Sequence, residues 1–105
     1  MRLFRVVATD SAREDLSRFI DYLLYVKKSV QAALNVLEDY DDTLEQLTRV
    51  GDSLAPCDNP ELRKRGYHRI NYLRHRYFML YRVDGDTVIV HAVGHELQDI
   101  QGFIH

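Results

Sequence analysis

Between residues 11 and 93, the spacing of apolar residues changes from a helical period before residue 51 to a strand period after residue 60. Residues 11–26 and 30–49 carry apolar side chains every three or four positions, which predicts two amphipathic helices. After residue 60 the period becomes two, which predicts three strands at residues 67–72, 75–83 and 87–93, the second of them rich in Tyr, Phe and Val. This order indicates an α+β fold in which two helices pack on one face of a small sheet.

Short signals set the bounds of these elements. Residues 3–8 read as a first strand, and Ser11 followed by Glu14 predicts a capping box at the start of the first helix. Ser29 suits the N-cap of the second helix, and Gly51 suits its end. Residues 84–86, Asp-Gly-Asp, indicate a tight hairpin. Residues 96–104 form a short closing helix in this prediction, so the expected order is β-α-α-β-β-β-(α).

The 105 residues suffice for a single domain, which we place at residues 1–105. Cys57 is the only cysteine and lies in a loop between two prolines, so it forms no intrachain disulfide and fits a reducing compartment. The chain carries no run of apolar residues long enough for a signal peptide or a membrane span, so we expect a cytoplasmic protein without a membrane partner.

Positive charge is concentrated although the formal net charge of the whole chain is −2. Residues 62–83 contain half of the fourteen Lys and Arg and no Asp or Glu. Such a segment favours an anionic ligand. Its basic residues are Arg63, Lys64, Arg65, Arg69, Arg74, Arg76 and Arg82.

A two-residue hairpin loop at 84–85 or at 85–86 assigns side chains to the two faces of the sheet. An uncharged face would pack on the helices, with Tyr77, Met79, Tyr81, Val83, Val88, Val90 and Ala92. The other face would carry Arg76, Phe78, Leu80, Arg82, Thr87, Ile89, His91, Val93 and His95, and a loop at 85–86 sets Arg76 opposite His95. A similarly tight turn at 73–74 would place Tyr67, Arg69 and Asn71 on this second face as well. A three-residue loop at either turn would exchange the two faces.

The predicted second face is either a binding surface or a solvated surface whose arginines pair with carboxylates elsewhere. His91 and His95 lie four strand positions apart, roughly 13 Å, so they would not share a metal ion. We therefore expect no metal and no cofactor.

The segment RINYLRHRYFMLYRV (residues 69–83) resembles the RelE/ParE toxin superfamily in its His-Arg pair and the aromatic strand that follows. DGDTVIVHAVGH (84–95) resembles the last hairpin of that family, HELQD (95–99) its His-x-x-x-Asp, and SAREDL (11–16) its first helix. The resemblance covers essentially the whole chain and implies the toxin of a type II toxin–antitoxin module.

The resemblance implies one of two activities, ribosome-dependent cleavage of mRNA or inhibition of DNA gyrase, with a cognate antitoxin as partner. For cleavage, it assigns Arg76 to phosphate stabilisation, His95 to general acid catalysis, Glu61 to the base and Arg69 to a second phosphate contact. RNA-binding residues would be Arg63, Lys64, Arg65, Arg74, Arg82 and His91.

The chain departs from the RNase members in two respects. Those members are usually strongly basic, whereas the isoelectric point of this chain is near 6.2. In addition, Glu96 stands where several of them have a catalytic Tyr. Three hypotheses follow: a ribosome-dependent mRNA endonuclease, which the sequence favours; a gyrase inhibitor without catalytic residues; and an inactive member that only binds its antitoxin. His95 is either catalytic or a structural residue that caps the final helix or bonds Asp99. The oligomeric state is open.

Overall fold

The structure, a computed structural model, describes residues 3–96. The predicted closing helix lies, from residue 97 on, outside the described residues. The elements are β1 (Arg5–Ala8), α1 (Asp10–Asp21), α2 (Val30–Val50), α3 (Pro60–Lys64), β2 (His68–Asn71), β3 (Tyr77–Asp84) and β4 (Thr87–His95). A π-helical turn, Tyr22–Val26, extends α1.

The four strands form one sheet in the order β1-β4-β3-β2. β1 runs parallel to β4, and the other two pairings are antiparallel. The N-terminal strand, the helical hairpin and the three-stranded meander are therefore confirmed. The short helix α3 was not predicted; Asn59 caps it by accepting the N–H groups of Glu61 and Leu62.

The predicted capping box of Ser11 and Glu14 is wrong, because the first helix already begins at Asp10. Thr9 is the N-cap, with an extended backbone and a side-chain oxygen that accepts the Ala12 N–H at 3.1 Å. The Thr9 N–H also donates to the carbonyl of Val90 in β4, so the sheet holds the chain extended up to this residue. The predicted cap of the second helix is confirmed, since Ser29 accepts the Ala32 N–H.

The hairpin loop is Gly85-Asp86, but a β-bulge interrupts the ladder beyond it. Leu80 pairs with Ala92 while Tyr81 pairs with Val90, so His91 is the extra residue. Beyond this point the faces of β4 are exchanged relative to the predicted assignment. Val93 packs in the core under the helices, and Ala92 packs on the opposite face.

Side chains of α1 and its N-cap donate hydrogen bonds to, or accept them from, the backbone of β4 beyond the end of β1. The Thr9 hydroxyl donates to the carbonyl of His91, and the Asp15 carboxylate accepts the N–H of Val93 at 3.1 Å. Asp15 also pairs with Arg18. A bulge next to the end of a neighbouring strand leaves such backbone groups unpaired, and these two side chains satisfy them.

A second, smaller core lies on the face of the sheet away from α1 and α2. The face was predicted to be open or half covered, with Phe78, Leu80, Ile89 and Val93 forming an apolar patch. Phe78 and Leu80 are instead buried, together with Ala92, under Leu62 of α3 and Cys57 of the preceding loop. The predicted apolar patch is thus wrong, because α3 and the preceding loop cover Phe78 and Leu80, and Val93 lies on the other face.

Candidate functional site

A cavity of about 300 Å³ opens on the face that α3 partly covers. Its lining residues are Thr9, Ser11, Arg65, Tyr67, Leu80, His91 and Ala92. Gly66 makes this arrangement possible, since its φ of +84° turns the chain sharply from α3 into β2. The cavity therefore joins residues from three distant parts of the sequence.

Tyr67, which lines this cavity, contacts both His91 and Arg82. The ring of His91 lies edge-on to it, with 5.5 Å between ring centroids. The guanidinium of Arg82 lies over the Tyr67 ring at 4.8 Å. Burial, and then the charge of Arg82, lower the pKa of His91 below its usual value. His91 is thus mainly neutral near pH 7 and can accept a proton or a hydrogen bond.

A second arginine is stacked on the same face of the sheet. The guanidinium of Arg69 lies 4.1 Å from the centre of the Phe78 ring, and its Nε donates to the side-chain oxygen of Asn71. Phe78 pairs with Asn71 across β2 and β3, so Arg69 and Asn71 lie on the predicted face. The turn that joins the strands is nevertheless longer than predicted, because Tyr72 bonds to Tyr77 and residues 73–76 form the loop.

The helix α3 adds further charge beside the cavity. Arg63 and Lys64 are exposed in its last turn. Glu61 accepts a hydrogen bond from the Nε of Arg65 at 3.2 Å, and both side chains are about half exposed. The candidate base Glu61 is therefore already paired with a cation, four residues along the same helix. Burial raises the pKa of the Cys57 thiol below this helix, which disfavours a nucleophilic thiolate.

Arg74 and His75 contact α2. Asp39, which is fully buried, accepts the N–H groups of Leu73 and Arg74 and bonds the Nδ1 of His75 at 2.6 Å. The guanidinium of Arg74 forms an ion pair with Asp42 at 2.6 Å. These contacts fix the turn before β3, and they engage Arg74, one of the predicted RNA-binding residues, with carboxylates of α2.

The predicted pairing of Arg76 with His95 is wrong. The bulge shifts the register by one, so His95 lies opposite Tyr77, and the two rings are edge-on at 5.0 Å. Tyr77 belongs to the core under α1, where it contacts Phe19. His95 is consequently on the helix-covered face. The carbonyl of Arg76 accepts the N–H of Glu96, next to the end of β4.

The structure therefore brings some predicted residues together and separates others. Arg65, Arg82 and His91 meet around Tyr67, and Arg69 lies on the same face. His95 is on the opposite face from Arg69 and from α3, which carries Glu61. Thr9 and Ser11 were missed, because nothing in the sequence links the first helical turn to β4.

Within residues 3–96, no group of three or more His, Cys, Asp or Glu side chains could hold a metal ion. None of the helices in this part of the chain is long and apolar enough to cross a membrane.

Three comparisons place this chain among known proteins. The model of the family described as the ParE toxin of the type II toxin–antitoxin system parDE matches residues 6–100. A chain of the chromosomal ParDE system from P. aeruginosa is 19% identical, with a TM-score of 0.69 over 89% of this chain and 96% of that one. A chain of the RelBE2 toxin–antitoxin complex from Mycobacterium tuberculosis is 23% identical, with a TM-score of 0.57 over 89% and 98%. No curated protein sequence matches significantly.

Proposed function

Because the chain belongs to the ParE toxin family of type II toxin–antitoxin systems, we propose that it inhibits DNA gyrase by binding and performs no catalysis. In this proposal it acts in the cytoplasm, and a cognate antitoxin holds it inactive. The resemblance noted in the sequence left gyrase inhibition and mRNA cleavage as alternatives. The positions of the candidate catalytic residues favour the first.

The observation that carries the proposal is the location of His95. Cleavage by an attacking ribose 2′-OH requires a base, an acid and cations that converge on one phosphate. His95 lies beside Tyr77 on the helix-covered face of the sheet, whereas Arg69 lies on the opposite face. Glu61 is carried by α3 on that opposite face as well. A binding inhibitor requires no such convergence.

The surface that we propose for target binding is the basic face, defined as Arg63, Lys64, Arg65, Tyr67, Arg69, Arg82 and His91. Tyr and Arg side chains dominate the binding energy of many protein interfaces. The guanidinium groups of Arg82 and Arg69 lie over aromatic rings, so these side chains lose little further conformational freedom on binding. An acidic segment of the antitoxin would cover the same charges.

Supercoiling assays with purified gyrase and the purified chain test this proposal. We expect inhibition by the native chain and at least about tenfold weaker inhibition by Arg82→Ala. Arg49→Ala is the matched control, because Arg49 is an exposed arginine of α2 that pairs with Glu45 and Gln46 of its own helix. The double variant that carries Arg76→Ala and His95→Ala should still inhibit gyrase. The proposal would be refuted if gyrase kept its full supercoiling activity at a saturating concentration of the native chain.

A second candidate is mRNA cleavage from the cavity around Tyr67. One observation favours it: a neutral His91 adjoins Arg82 and Arg65, which supplies a base and two cations in one place. Mapping mRNA 5′ ends after induction separates the candidates. New in-frame cuts that disappear in His91→Ala would establish cleavage, and growth arrest with intact mRNA would support gyrase inhibition.

A further inference from the structure

The outer side of α2 carries an apolar stripe that no other element within residues 3–96 covers. Its members, Val30, Leu34 and Leu37, are 64%, 54% and 37% exposed. Spacings of four and three residues place them along one side of the helix. The core-facing residues of α2, such as Ala33, Val36 and Tyr40, are buried. The stripe is thus additional to the core face of an amphipathic helix, and such surfaces often mark interaction sites.

Opposite charges stand at the two ends of this stripe. Lys27 and Lys28 are exposed just before α2 begins. Asp41 continues the stripe four residues after Leu37 and is exposed, as is Glu38. Lys27 precedes Lys28, whose φ of +53° interrupts the helix, so Lys27 lies near the N-terminal end of α2, whereas Asp41 lies within α2, seven residues after Leu34. The surface is therefore basic at one end, apolar in the middle and acidic at the other end.

We infer that α2 packs against α2 of a second copy of this chain, in antiparallel orientation, about a twofold axis near Leu34. A twofold interface joins the same patch on both copies, so it must be complementary to itself. In the antiparallel orientation, Lys27 of each copy approaches Asp41 of the other, and Leu34 meets Leu34. A parallel arrangement would instead set like charges against each other.

The size of the stripe predicts weak association. Interfaces that bury less than about 1,200 Å² in total usually form transient complexes. One helix face per copy falls in that range, so we expect a dimer in the micromolar range rather than a permanent one. The basic face lies across the sheet from α2, so dimerisation leaves it accessible; the inference stands independently of the proposed target.

Sedimentation velocity of the purified chain, from about 1 to 100 µM, tests the inference. We expect a concentration-dependent dimer and a rise of at least about 30-fold in the dissociation constant for Leu34→Glu, since the substitution occurs twice per interface. Leu73→Glu is the matched control, because Leu73 is equally exposed, at 53%, but lies in the turn before β3. Circular dichroism of both variants verifies that they fold.

Exchanging the charges of Lys27 and Asp41 tests the antiparallel arrangement directly. Lys27→Glu alone and Asp41→Lys alone should each weaken dimerisation about tenfold, because each places like charges together twice. A mixture of the two variants restores both attractions in the heterodimer and should associate about as tightly as the native chain. A native chain that remains monomeric at 100 µM, or a mixture no tighter than either variant, would overturn the inference. If the native chain is monomeric and its Leu34→Glu variant no longer binds the antitoxin, the stripe is an antitoxin-binding surface, and this result would also overturn the inference.

Discussion

Replacing Asp39 with Ala should strongly destabilise this protein. The carboxylate is fully buried and accepts three hydrogen bonds from the turn before β3, at 3.1, 3.0 and 2.6 Å. Hydrogen bonds to an ionised group contribute about 1.5–3 kcal/mol each. Breaking a buried charged pair costs about 3–5 kcal/mol. Because the turn is partly exposed and its N–H groups can regain water, we expect a loss of about 3–5 kcal/mol.

A domain of this size has a free energy of unfolding of about 5–15 kcal/mol, so this loss is a large fraction. Urea unfolding followed by circular dichroism measures it, and the melting temperature should fall by roughly 12–20 °C. Asp42→Ala is the matched control, since Asp42 is a half-exposed carboxylate of α2 that pairs with Arg74. It should cost at most about 1 kcal/mol. Equal losses in the two variants would refute the reasoning.

The pH dependence provides an independent check on Asp39. Burial raises the pKa of this carboxyl, but the His75 hydrogen bond, the Arg74 N–H and the charges of His75 and Arg74 outweigh it, so the folded-state pKa lies below the usual value. A depressed pKa means that the stabilisation is present above about pH 4 and is lost as the pH falls through the folded-state pKa. The difference between the native chain and Asp39→Ala should therefore shrink in acid. A constant difference from pH 7 to pH 2 would contradict this assignment.

Three further substitutions follow from buried contacts. Tyr81→Phe should lower the free energy of unfolding by about 1–2 kcal/mol, because the buried Tyr81 hydroxyl donates to the Gly51 carbonyl at 3.0 Å. Tyr72→Phe is the control. It should be neutral or stabilising, since the buried Tyr72 hydroxyl has no hydrogen-bond partner within residues 3–96. Gly51→Ala should cost about 1–3 kcal/mol in urea unfolding, because the added Cβ would lie 2.5 Å from a valine methyl of β4; an unchanged midpoint would show that α2 can shift. The NMR titration of His91 should give a pKa below that of an exposed histidine, and Arg82→Gln should raise it while burial still keeps it low; no response to Arg82→Gln would exclude the charge as a cause.

The sequence by itself determined the fold class, the order of the four strands and the two long helices, and the superfamily that the chain resembles. These rest on local patterns: the two helical stripes, the Ser29 cap and the hairpin at Gly85 are each specified by residues within a few positions of one another. The segregation of basic residues into residues 62–83 is equally a property of the sequence.

Only the tertiary structure decided which residues meet. The bulge at His91 has no local signature, because Thr9 and Asp15 of the first helix satisfy the backbone groups around it. A single extra residue in β4 moved His95 to the helix-covered face and removed it from the predicted site. Asp39 reads in the sequence as one more charge on an acidic helix, yet it is buried, because the turn before β3 supplies three donors from more than thirty residues away. Alternation along a strand is a local rule, and it fails where contacts distant in sequence set the register.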